Sequence, residues 1–199
     1  MPQPLTGIVL AGGKSRRFGR DKALIKLSDK TAVELAVELV RPFVQHMLLS
    51  TNEPAMFSFL AIPAVPDLHA YAGPLAGIEA TLRASRTEWN LVVACDMPRM
   101  SPMVLEFLSR LQPSSDAVLF SLEGIPQFFP GLYHRKILEP LEPLFAQPPS
   151  IPRERSLYAL LHRINAQIVP AETLPFFNPK FFFNMNTPED YHSLFGERK

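Results

Sequence analysis

Residues 5 to 11, LTGIVLA, are apolar without alternation and stop at two glycines, Gly12 and Gly13. A strand with one wet face alternates polar and apolar side chains, whereas a strand buried on both faces does not. The run therefore predicts an inner strand of a mostly parallel sheet, which requires crossover helices on both of its faces. The chain supplies them in order. TAVELAVELV, Thr31 to Val40, has helical apolar spacing and stops at Arg41-Pro42. VQHMLLS (44 to 50) and AIPAV (61 to 65) read as a second and a third strand, followed by a helix from Leu75 to Ser85. NLVVAC (90 to 95) is the clearest strand, and Asp96-Met97-Pro98 ends it. A helix opens at Ser101-Pro102, with serine as cap and proline in the first turn, and DAVLFSL (116 to 122) follows as a strand.

Past residue 123 the pattern loosens. IPQFFPGLY (125 to 133) reads as an edge hairpin, because proline demotes a central strand. EPLEPLFAQPPSIP (139 to 152) carries five prolines and reads as a surface excursion, since too little chain follows it for a second core. RSLYALLHRI (155 to 164) is an amphipathic helix and FFFNMN (181 to 186) a strand. Thr187-Pro188-Glu189-Asp190 is a helix start: threonine cap, proline first, acids in the first turn. At 199 residues the chain is expected to form one domain. The expected class is α/β, three layers around a mostly parallel central sheet with helices on both faces.

Ligands of such sheets sit at the carboxyl ends of the strands. Three chemistry-bearing stretches each follow a strand: the segment after Gly12-Gly13, Asp67 and Asp96. Between Lys14 and Lys26 there are six cations and one anion, Asp21, a net charge of +5 in a protein whose overall charge is +1. Recognition of an anion is therefore local, and a general attraction to nucleic acid or membrane is not expected. Glycines let backbone N–H groups approach a ligand, and cations behind them complete a phosphate cradle. A Walker A loop is excluded, because Ile8 stands where its leading glycine belongs if Gly13-Lys14-Ser15 is the tail. A dinucleotide fingerprint is excluded too, with Lys14 at its second glycine. One cysteine, Cys95, rules out an internal disulfide and a cysteine-rich zinc site, and the five histidines lack metal spacing. No basic, apolar leader opens the chain and no run reaches membrane-spanning length, so a cytoplasmic location is expected.

LAGGKSRRFGRDK, residues 10 to 22, resembles the signature L-A-G-G-x-S-x-R-M-G-x-D-K of the molybdenum cofactor guanylyltransferases, the MobA-like nucleotidyltransferases, with Phe18 in place of the usual methionine. VPD ending at Asp67, AGPLAGI (72 to 78), ACDMP (94 to 98), RSLYALL (155 to 161) and NMNTPED (184 to 190) follow in that family's order. The resemblance implies a Rossmann-like nucleotidyltransferase fold and transfer of GMP from GTP to the terminal phosphate of molybdopterin, with pyrophosphate released and Mg²⁺ required. It divides the chain into a GTP-binding half, 1 to 122, and an acceptor-side half, 123 to 199. Its partners are GTP and molybdopterin, with molybdoenzyme maturation proteins as further candidates.

By motif position Leu10, Ala11, Gly12, Gly13, Lys22 and Asp67 contact GTP, and Asp96 contacts nucleotide and holds the Mg²⁺. Lys22 and Arg17 neutralise charge on the departing pyrophosphate, the task that phosphoryl chemistry mainly sets a protein. Ser50 stands where the family often carries a nucleotide-binding asparagine, with Asn52 two residues on. Gly73 and Gly77 bring backbone near the base or serve a turn and helix packing; Asn186 reaches phosphate or metal or braces its own turn. The phenylalanines of FFNPKFFF fit core packing ahead of pterin stacking, and Cys95 fits inert core. Competing readings are a cytidylyl or sugar-1-phosphate nucleotidyltransferase and a non-catalytic GTP-binding adaptor in cofactor delivery.

Overall fold

The computed structural model of the chain describes residues 3–12, 21–69, 73–146 and 156–195. The apolar run forms β1 (Leu5–Leu10), buried along its whole length. Leu5 and Val9 enter one core cluster, and Ile8 and Leu10 enter a second on the opposite side of the sheet. Two-sided burial is why the run lacks alternation. A small hairpin of β2 (Lys26–Leu27) and β3 (Lys30–Thr31) precedes α1 (Ala32–Val40). That helix begins with a capping box: Thr31 Oγ1 accepts from the Glu34 backbone N–H, and Glu34 accepts from the Thr31 N–H at 2.7 Å.

β4 (His46–Ser50), β5 (Ala64–Val65), α2 (Pro74–Ala84), β6 (Trp89–Ala94), α3 (Pro102–Ser109) and β7 (Ala117–Leu122) then follow the expected alternation. The main sheet has seven strands in the order β5-β4-β1-β6-β8-β7-β9, where β8 is Ile125–His134 and β9 is Ala166–Pro170. Among the described residues six of these strands share one direction and β8 opposes them. α1 and α3 pack Val33, Val37, Val104 and Leu105 into the first core cluster. α2 joins α4 (Leu138–Phe145) and α5 (Leu157–Leu161) over the second, through Leu75, Ile78, Leu141 and Leu160. The result is the expected three-layer α/β arrangement.

Three expectations are corrected. β8 is an interior strand rather than an edge hairpin. Its prolines stay clear of the ladder with β6, which pairs with Gly131 to His134; against β7, Pro126 stands opposite Ser121 and Pro130 falls within a register shift. The proline-rich stretch from 139 is in part a helix, α4, with Leu141, Leu144 and Phe145 buried; residues 147–155 lie outside the described chain. Pro140 is tolerated because the first N–H groups of a helix have no acceptor within it. FFFNMN is not a strand. A 3₁₀ turn over Pro179–Phe182 buries Phe182 against Phe120 (ring centroids 5.5 Å apart), and the chain then extends past the sheet without joining it. α6 (Pro188–Phe195) begins where the threonine cap predicts, with Asp190 N–H donating to Thr187 Oγ1 at 3.2 Å.

The fold thus brings the carboxyl ends of β1, β4, β5 and β6 to one edge of the sheet. The chain moves outward from β1 through β4 to β5, then returns to place β6 on the other side of β1. The crevice of such a sheet opens at that reversal, between the end of β1 and the end of β6.

Candidate active site

β1 stays hydrogen-bonded to both neighbours up to its end: Leu10 O accepts from Cys95 N–H at 3.2 Å, and Ala11 N–H donates to Ser50 O at 3.0 Å. The chain leaves the sheet at Gly12. Among the described residues a Cβ there would meet only Ser50 O, at 3.8 Å, so their packing does not demand this glycine. Open backbone at a strand end is what a phosphate cradle needs. Gly13 and Arg17 lie outside the described residues.

Lys22 opens a short 3₁₀ turn, Lys22–Leu24, capped by Asp21, whose Oδ1 accepts from Ala23 N–H at 2.9 Å. Asp21 therefore shapes the turn that carries the lysine. From it Lys22 Nζ reaches across the crevice and donates to Asn186 Oδ1 at 2.9 Å. Asn186 is fixed in turn by the start of α6, its N–H donating to Asp190 Oδ2 at 2.7 Å. Next to it, Met185 N–H donates to the carbonyl of Asp96 at 2.8 Å. The C-terminal segment is thereby laced to the end of β6, and Lys22, Asp96 and Asn186 meet in one place.

Asp96 follows β6 directly. Its Oδ1 is buried and has no hydrogen-bond partner among the described residues. Burial raises its carboxyl above the ordinary carboxylate range, and the nearby Lys22 charge pulls it part of the way back. Asp21 is raised for the same first reason, desolvation. Among the described residues no three histidine, cysteine or acidic side chains cluster as a metal cage. The donor set fits a hard divalent cation that takes one or two carboxylates and fills its shell with phosphate and water. The orphaned Asp96 oxygen, at the strand end beside Lys22, fits such an ion. Cys95 packs against the core, and burial followed by the Asp96 and Asp21 charges pushes its thiol far up, which makes it a poor nucleophile.

At the other side of the crevice Ser50, Asn52, Asp67 and Gly77 converge. Ser50 is buried, and a Cβ on Gly77 would collide with its Oγ and stand 3.5 Å from Asp67 Oδ1. Glycine at 77 is therefore a close-packing requirement. Gly73 caps α2 at φ +65°, a left-handed value that favours glycine, and a Cβ there would meet nothing within 4 Å among the described residues. Asp67 is gripped by Asn52 through two hydrogen bonds. That grip is the feature sequence reading missed; its faint signal is an asparagine just beyond a strand end.

Among the described residues no helix is long and apolar enough to cross a membrane. The MobA-like NTP transferase domain profile matches residues 7–166. A protein of Carboxydothermus hydrogenoformans, named a probable molybdenum cofactor guanylyltransferase, is 32% identical over 194 residues, which covers 96% of this chain and 95% of its own length. One of the same name from Geobacillus sp. is 30% identical over 197 residues, covering 96% and 97%. The crystal structure of molybdopterin-guanine dinucleotide biosynthesis protein A from Archaeoglobus fulgidus superposes with a TM-score of 0.79 at 29% identity, covering 95% of this chain and 96% of that one. A strand order that opens a crevice between β1 and β6, and a profile match across most of the chain, agree: this protein is a nucleotidyltransferase and belongs to the MobA-like NTP transferase domain family.

Proposed function

We propose that the chain transfers GMP from GTP to the terminal phosphate of molybdopterin. An oxygen of the acceptor phosphate forms a bond to the α-phosphorus of GTP. The bond from that phosphorus to the bridging oxygen breaks, and pyrophosphate leaves with the electron pair. Such a reaction asks for positioning and charge neutralisation more than for covalent help. Lys22 neutralises the charge that gathers on the leaving pyrophosphate, a role that motif position also assigns to Arg17. The backbone at Leu10, Ala11 and Gly12 lies along the phosphates, Gly13 continues the motif, and Asp67 holds the nucleoside beside Ser50, Gly73 and Gly77. Asn186 keeps the Lys22 ammonium aimed into the crevice. The Asp96 carboxylate would hold Mg²⁺, which when bound supplies positive charge between the phosphates.

One observation carries this reading: the Lys22 ammonium and a buried Asp96 oxygen, unpartnered among the described residues, share the crevice at the end of β1. The names of the full-length relatives support guanine and molybdopterin as the substrates. Pyrophosphate release from GTP plus molybdopterin tests it. Release is expected with GTP, stops when Mg²⁺ is chelated, and falls sharply when CTP replaces GTP. A preference for CTP, or GTP binding without release, overturns the proposal.

A further inference from the structure

β4 ends at Ser50, and Thr51 and Asn52 carry the chain off the sheet. Asn52 then turns toward Asp67, fifteen residues on. Its Nδ2 donates to Asp67 Oδ2 at 2.9 Å, and its Oδ1 accepts from the Asp67 backbone N–H at 2.8 Å. A single amide thus supplies a donor and an acceptor to a single residue. Rotating the Asp67 side chain breaks one bond, and shifting its backbone breaks the other. The pair also sorts the two carboxylate oxygens. Oδ2 is taken by Asn52, while Oδ1 faces the first turns of α2, 3.5 Å from where a Gly77 Cβ would stand. Ser50 cannot replace Asn52 in this task, because it is buried with its Oγ against Gly77.

We infer that Asn52 is a positioning residue for nucleoside recognition, holding Asp67 so that Oδ1 meets a donor pair of the nucleotide. The shared chemistry of that ligand is two adjacent donors, the ribose hydroxyls or the N1–H and N2–H edge of guanine. This rests on the reading of Asp67 as a nucleoside contact. A carboxylate free to rotate must be ordered when ligand binds, and Asn52 removes that cost beforehand. An aspartate at 52 would lose the donor and repel Asp67; a serine is too short to make both bonds.

The test measures steady-state pyrophosphate release and, separately, GTP affinity by calorimetry, on the full chain. Asn52→Ala is expected to raise KM and Kd for GTP about ten-fold with kcat within about two-fold, the pattern of lost uniform binding. Asp67→Ala should lose at least as much, and Asn52→Ala/Asp67→Ala no more than Asp67→Ala alone, because both act through one carboxylate. With 2′-deoxy-GTP the Asn52→Ala penalty disappears if the ribose is the partner; with inosine triphosphate it disappears if the guanine edge is. Wild-type affinity in Asn52→Ala, penalties that multiply in the double variant, or a penalty undiminished with both analogues would each overturn the inference. An Asp67→Ala protein with unchanged GTP affinity also overturns it, yet leaves guanylyl transfer standing. A wild type that binds GTP without turnover sinks the transfer instead, and calorimetry still decides the role of Asn52.

Discussion

Asp96 keeps one carboxylate oxygen buried without a partner among the described residues, and desolvation holds its carboxyl above the ordinary range. A carboxylate whose folded pKa is raised costs folding free energy at every pH above that pKa, because the ionised form is the one the fold disfavours. In chelator and without nucleotide, Asp96→Asn is therefore expected to stabilise the protein, by on the order of 1 kcal/mol or about 2–4 °C in Tm. The same change should lower pyrophosphate release at least about 10²-fold, the usual scale for losing one electrostatic stabiliser. Thermal melts and turnover on one sample check both; a variant that melts lower would show that the oxygen has a partner in solution. At this scale the strand-end acids were legible, since an acid just past an apolar run lands at the edge of a parallel sheet. Side-chain pairs were not. Lys22 and Asn186 are 164 residues apart and Asn52 and Asp67 are 15 apart, separations that leave no periodic trace.

α2 shows how an element sets a site without contributing a charged group to it. Its start at Gly73-Pro74 aims its N-terminal turns at the crevice, and Gly77 lets those turns lie directly on Ser50 and Asp67. A methyl at 77 collides with Ser50 Oγ, so Gly77→Ala must displace that hydroxyl or push α2 off the end of β4. The expected cost is about 1–3 kcal/mol, as for other overpacked sites. Most of it should return when Ser50→Gly removes the obstructing hydroxyl, a rescue readable from denaturant midpoints. A Gly77→Ala protein as stable as wild type would mean that the contact relaxes freely. Starts of this kind were legible wherever proline or a hydroxyl marked them, at Thr31, Ser101-Pro102 and Thr187-Pro188. Elements that carry proline were not: β8 holds Pro126 and Pro130, and α4 holds Pro140 and, inside the helix, Pro143, so proline signalled breaks where buried Leu141, Leu144 and Phe145 keep the helix packed. β9 escaped for a different reason. It is a partly exposed edge strand without apolar alternation, specified only by its pairing with β7.

Across the whole molecule, the end of the sheet opposite the crevice is held by titratable groups. Lys136 Nζ bridges to Asp116 Oδ1 at 2.7 Å, and Asp116 Oδ2 accepts from Asn165 N–H at 2.8 Å, joining β7, β8 and β9. Beside them His134 Nδ1 accepts from Lys136 N–H at 3.0 Å, its ring lies edge-on to Trp89, and its Nε2 is 3.7 Å from Glu88. An imidazole accepting at Nδ1 is neutral there. Burial and then the Lys136 charge lower its pKa below 6.5, with Glu88 and Asp116 opposing. Asp116 is lowered as well, where its bonds to Lys136 and Asn165 outweigh desolvation. Both shifts have the same sign in linkage, since the unfolded chain binds the proton first. Stability should therefore fall as pH drops below 6.5 toward the lower folded value of His134, and again below 3.8 as Asp116 is protonated. His134→Asn keeps an acceptor for Lys136 N–H and cannot titrate. Its urea midpoint should change less than that of wild type between pH 7.5 and 5, while the two proteins remain parallel below 4. Equal slopes in the upper window would place that acid sensitivity in another histidine. GTP affinity should be unaltered in His134→Asn, because the strands that carry the crevice end at the other edge of the sheet.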